Sequence, residues 1–114
     1  MASVVNKGVA EHYIWGERCD GWHLVHDPGL SVIEECMPPG ATEIRHHHGK
    51  AQQFFYVLSG RATMEAEGEI LELSSNDGAR ILPGMRHQIR NESDEPVRFL
   101  VISQPSSRGD RISD

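Results

Sequence analysis

A chain of 114 residues is long enough for one hydrophobic core and too short for two. Its net charge of −6 supplies no basic face for nucleic acid, and its apolar runs fall far short of a membrane span. The opening residues, MASVVNKGVA, lack a signal-peptide core, and Cys19 and Cys36 show no paired-motif spacing. Two reduced cysteines in a cytoplasmic protein are therefore expected.

Turn-forming residues recur along the chain at Asp27-Pro28-Gly29, Pro38-Pro39-Gly40, His48-Gly49, Ser59-Gly60, Glu67-Gly68, Asn76-Asp77-Gly78, Pro83-Gly84 and from 91 to 96. Spacings of roughly 7 to 11 residues between such signals are the rhythm of an all-β sandwich or barrel. The runs between them predict strands over 22–26, 30–37, 42–48, 53–58, 61–66, 69–73, 79–82, 87–91 and 97–103. No segment sustains a helical period between caps, so helix is confined at most to 7–13. One domain, 1–114, is expected, with residues 1–20 as an N-terminal arm and 105–114 as a tail that is either mobile or tucked against the barrel.

Within the first strands, His23 and His26 lie three apart, which in extended chain puts them on opposite faces, at the surface or rim. In 42–48, His46 and His48 project together while His47 points away. On a following antiparallel strand Gln53, Phe55 and Val57 share a face. Two imidazoles and an amide make most of a metal site, and His87 is the candidate to complete it. Arg61, Thr63 and Glu65 alternate with Ala62, Met64 and Ala66, the pattern of a sheet with one wet face.

From Asn76 to Asn91 the chain makes a tight turn at Asp77-Gly78, a short strand, and a second turn at Pro83-Gly84 that sets the entry of His87. Asn91, four residues on, shares the face of His87, where its amide is placed to tie down the strand end. The last run, 97–102, is apolar on both faces. Its outer face calls for a cover, either a second subunit in a two-fold homodimer or an N-terminal segment bearing Val4, Val5, Tyr13, Ile14 and Trp15.

Taken in order, Gly40, His46-x-His48, Gln53 and Gly60 resemble the first motif of the cupin superfamily. Asn76-Asp77, Leu82-Pro83-Gly84, His87 and Asn91 resemble its second. Gln53 stands where the family usually carries glutamate, Asn76 where it has glycine, and Leu82 where it has proline. The resemblance implies an all-β, single-domain barrel (a double-stranded β-helix or jelly roll) with one mononuclear metal near its wider mouth. By position it implies His46, His48 and His87 as ligands with Gln53 in the fourth place. Such donors suit Mn²⁺, Fe²⁺, Co²⁺, Ni²⁺, Cu²⁺ or Zn²⁺. Cys36, from a neighbouring strand, reads as a buried apolar cysteine rather than a ligand.

Glutamine in place of glutamate leaves the metal a charge of +2 rather than +1, a stronger attraction for an anionic substrate. An amide is also a poor base, so Gln53 orients rather than abstracts protons. Phe55, Val57, Met85 and Ile89 are candidates for the substrate pocket. Glu34, Glu35 and His47 are candidate bases. Arg80, Arg86 and Arg90 are expected in surface pairs, and Arg108-Gly109-Asp110 is a chance adhesion tripeptide. Two functions stay open: a metalloenzyme of dioxygenase or isomerase/cyclase type acting on a small polar or anionic molecule, and a non-catalytic small-ligand sensor. The chain has no room for a helix-turn-helix, which argues against DNA binding.

Overall fold

A computed structural model describes residues 2–114. The chain forms eleven strands, with no helix among the described residues. They are β1 (Glu11–Trp15), β2 (Cys19–His26), β3 (Ser31–Met37), β4 (His46–His48), β5 (Gln52–Ser59), β6 (Ala62–Ala66), β7 (Glu69–Leu73), β8 (Gly78–Ile81), β9 (His87–Arg90), β10 (Val97–Gln104) and β11 (Arg111–Ser113). Two antiparallel sheets face each other as a jelly roll: six strands in the order β1-β2-β3-β10-β5-β8, and five in the order β11-β4-β9-β6-β7.

The alternation read from the sequence is what closes the core. Along β10, Val97, Phe99, Val101 and Ser103 turn inward and are buried, while Arg98, Leu100 and Ile102 are half-buried outside. Along β5 the inward residues are Gln53, Phe55 and Val57. Fully buried Met37, Val57, Met64, Ile89, Val97 and Phe99 form the centre of the apolar core. Each such side chain contributes roughly 1.5–3 kcal/mol by leaving water.

Two strands escaped the sequence pattern, one at each end of the chain. Residues 1–20, expected as an arm, contain β1 and the start of β2, and β1 pairs with β2 along its whole length. The stretch 7–13 is a turn running into β1, not a helix. At the other end β11 pairs with β4. The N-terminal segment does not cover β10 either: Val4 is 86% exposed and Val5 46%. The outer residues of β10 find cross-strand neighbours instead, Leu100 beside Glu34 and Tyr56, Ile102 beside Val32 and Phe54.

One cross-strand row positions the site. Tyr13, Gly21 and Glu35 lie side by side on β1, β2 and β3. A Cβ on Gly21 would collide with the Tyr13 ring, so only glycine lets that ring fold over β2.

Candidate metal centre

The three histidines converge. β4 is short and alternates buried, half-buried, buried, which sends His46 and His48 inward and His47 out to Asp114. Gly84, at φ +81°, turns the chain and donates its N–H to His48 O at 2.7 Å. β9 then begins at His87, directly opposite His46. Ring centroids lie 4.8 Å apart for His46 and His48, 4.5 Å for His46 and His87, and 5.8 Å for His48 and His87. One ring nitrogen from each falls within 4.8 Å of the others.

Hydrogen bonds decide which nitrogen that is. Nδ1 of His46 donates to Ile44 O (2.8 Å), Nδ1 of His48 to Asp110 O (3.1 Å) and Nδ1 of His87 to Met85 O (2.9 Å). A carbonyl only accepts, so each Nδ1 carries the proton and each neutral ring keeps its lone pair on Nε2. Burial favours that neutral form. It pushes His46 down to about 4 and lowers His48 and His87. Nε2 of His48 and of His87 are buried with no hydrogen-bond partner among the described residues.

Gln53 reaches the site from the facing sheet. β5 is not a hydrogen-bonded neighbour of β4, so the amide shares a cavity with His46 and His48 across the barrel interior rather than along a ladder. Its Nε2 donates to Ser103 Oγ at 3.0 Å, and its Oε1 is buried without a partner. Three buried acceptors without a partner among the described residues are costly unless a cation or a water takes them up. The donor set therefore fits a divalent transition metal, with a backbone carbonyl fixing each ring from behind.

Before these donors lies a cavity of about 310 Å³ lined by Tyr13, Glu35, Glu43, Gln53, Phe55 and Arg111, among others. Tyr13 Oη donates to Glu35 Oε2 at 3.1 Å. Burial pushes the Glu35 carboxyl up to about 7. Glu43 Oε1 accepts the Ile89 N–H at 3.0 Å, and burial, together with the nearby Glu35, pushes Glu43 up to about 8. Arg111 pulls in the opposite direction on both. The donors thus face two carboxyls whose protonated, uncharged forms burial favours.

Of the three candidate bases, only Glu35 lines the cavity. Glu34 lies outside, paired to Lys7 at 3.0 Å and Arg98 at 3.2 Å, and His47 pairs with Asp114 at 2.8 Å. Of the pocket candidates Phe55 lines the cavity, whereas Val57 and Ile89 are wholly inside the core and Met85 packs against it. Strand periodicity reports the face a residue occupies, not its depth along the barrel. Arg80 binds Gln52 and Arg86 faces Asp114 at the surface, while half-buried Arg90 pairs with Glu92. The cations on the cavity wall are Arg108 and Arg111 instead.

His23 and His26 correct the opposite-face expectation. A register shift between His23 and Val25 puts both rings on one side, stacked at 4.0 Å and 7°. With Glu11 they form a second group of ligand-type atoms within 4.8 Å. Parallel rings direct their in-plane lone pairs side by side rather than toward one point. Burial, and after it the neighbouring His26, lowers His23, so the neutral stacked pair is favoured.

The cupin domain family matches residues 33–103. The chain belongs to that family. It is 35% identical over 77 residues to a polyketide synthase protein, CurC, of Streptomyces cyaneus, covering 68% of this chain and 47% of the relative. It thus spans about half the length of that curated relative, and 60% of a second, an uncharacterised protein of Methanocaldococcus jannaschii. Among solved structures, KdgF from Halomonas sp. superposes with a TM-score of 0.84 at 20% identity, covering 93% of this chain and 96% of that one. The polyketide cyclase RemF from Streptomyces resistomycificus superposes with a TM-score of 0.81 at 18% identity, covering 93% and 81%. These structural likenesses concern the cupin fold.

Proposed function

We propose that this cupin holds one divalent transition metal on His46, His48 and His87, with Gln53 as fourth donor, and catalyses proton-transfer chemistry on a small carbonyl compound. The observation that carries the metal reading is the trio of buried, unpartnered acceptors: Nε2 of His48, Nε2 of His87 and Oε1 of Gln53. A metal bound there would supply Lewis-acid polarisation of a carbonyl or enol oxygen.

The chain's own residues supply the rest. Glu35 and Glu43 face the same cavity, and carboxyls held near neutral pH suit both acceptance and return of a proton. In an isomerisation or cyclisation, Glu35 takes a proton from the carbon beside the carbonyl. A neighbouring acid returns one at the new position. Tyr13 holds Glu35 Oε2 in place, and Phe55 and Trp15 exclude water. Two carboxyls that can take up and return a proton serve isomerase or cyclase chemistry directly, which favours it over a dioxygenase. The likeness to CurC and RemF, named as a polyketide synthase protein and a polyketide cyclase, leans the same way.

Elemental analysis should find one metal per chain, and His87→Ala should abolish it. With a panel of β-dicarbonyl and sugar-acid compounds in D₂O, the loaded protein should wash deuterium into one member. Glu35→Gln should keep the metal and lose the exchange. No metal in the unmodified protein, or exchange untouched by Glu35→Gln, defeats the respective half of the reading. We also infer a cytoplasmic homodimer. Free Cys19 and Cys36 suit a reducing compartment, and exposed Phe54 and Leu30 adjoin the apolar outer face of β10. Sedimentation at monomer mass, or a signal that exports the native protein, argues against it.

A further inference from the structure

Two of the three imidazoles sit on a poorly supported strand. β4 has three residues and meets β9 at one register pair, His46 with His87. Its other edge is held entirely by the C-terminal segment: Arg111 pairs with His48, Ile112 with His47 and Ser113 with His46. The residue before β11 is Asp110, and its carboxylate caps the loop that leaves β4. Oδ1 accepts the N–H of Gly49 at 3.0 Å, and Oδ2 accepts those of Lys50 at 2.8 Å and Ala51 at 3.0 Å. The backbone carbonyl of the same residue accepts the proton of His48 Nδ1. Asp114 adds a second fastening, donating its N–H to Arg45 O at 2.9 Å while its carboxylate binds His47.

Three backbone donors on one carboxylate make a strong, charge-assisted grip on a loop. That grip fixes where the Asp110 carbonyl lies, and the carbonyl fixes the tautomer and rotation of His48. We propose that residues 105–114 are a clasp for the metal centre and that Asp110 is its positioning residue, so that divalent-metal affinity depends on a carboxylate that never touches the metal. The clasp lies beyond the residues matched by the cupin family, 33–103. It also gives Arg108-Gly109-Asp110 an internal role: the aspartate is engaged with the loop, while Arg108 is turned to the cavity wall. Coupling runs both ways, so a bound metal must in turn tighten the clasp.

The inference rests on the metal reading above, and Co²⁺ separates the two. Titration of the unmodified protein with Co²⁺, followed by visible absorption, should saturate at one ion per chain. Asp110→Ala should weaken Co²⁺ binding by roughly tenfold to a hundredfold and shift the ligand-field bands at saturation, as one ring loses its orientation. Asp110→Asn, which keeps an acceptor without the charge, should fall between. Bands and affinity unchanged in Asp110→Ala overturn the proposal and leave the metal reading standing. No Co²⁺ uptake by the unmodified protein overturns both. Should Asp110→Ala fail to fold, amide exchange in the unmodified protein decides. Co²⁺ should slow the N–H groups of Gly49, Lys50, Ala51 and β11, and rates indifferent to Co²⁺ refute the clasp.

Discussion

Two buried side-chain amides occupy opposite regions of this barrel and have opposite fates. Asn91, at the closed end, uses all it has: Nδ2 donates to Met37 O at 3.0 Å and Glu95 O at 2.7 Å, while Oδ1 accepts from Ser93 N at 3.0 Å and Ser93 Oγ at 2.7 Å. Gln53, at the cavity, makes one bond to Ser103 and leaves its oxygen bare. The difference teaches which buried polar groups serve the fold and which serve a ligand. A fully satisfied amide locks strands together. One left short is a standing cost that a folded chain tolerates for a bound partner.

The comparison can be broken first at the closed end. Asn91→Ala strips the side-chain partner from the buried Met37 carbonyl and from Glu95 O, and should cost about 2–4 kcal/mol in denaturant unfolding of the metal-free protein. A loss below ~1 kcal/mol would erase the structural role given to this amide.

Glu35 sharpens the contrast through pH. Its folded pKa of about 7 lies above the ordinary 4.5, so the folded state binds the extra proton between those values. The sign follows: the contribution to stability is full below pH 4.5 and is lost as pH rises through 7. Metal-free Glu35→Gln should match the parent near pH 4.5 and exceed it by about 2–3 kcal/mol at pH 8. Parallel stability curves for the two proteins would mean that the cavity does not strain this carboxyl.

The smallest effect is expected at Gln53 itself. Gln53→Met removes a bare oxygen and one hydrogen bond at similar volume, and should change metal-free stability by less than ~1 kcal/mol. Its consequence should appear only as weaker metal retention. A stability loss as large as that of Asn91→Ala would collapse the distinction between the two amides.

Much of the site could be read from local pattern. His46 and His48 share a face because strands repeat every two residues, and the Pro83-Gly84 turn delivers His87 to a strand start, as the structure shows. The same alternation, carried from Met37 on β3, points Glu35 inward. Glu43 had no such signal, since it lies in the irregular link before β4, where the only ladder-type pairing is the isolated bridge from Thr42 to Arg90. Tyr13 was hidden for another reason: its role depends on Gly21 beneath it, a residue on another strand. The bulge that stacks His23 on His26 likewise inserts a shift that a strict two-residue period cannot anticipate.

By itself the sequence determined the class of fold and the three imidazoles, because side-chain alternation and turn chemistry act over a few neighbouring residues. Only the tertiary structure decided that Gln53 shares their cavity from the opposite sheet, that two acids and a tyrosine line it, and that the last residues return to β4. Those arrangements are contacts between segments far apart in the chain, set by how two sheets pair and pack, and no short stretch of residues encodes them alone.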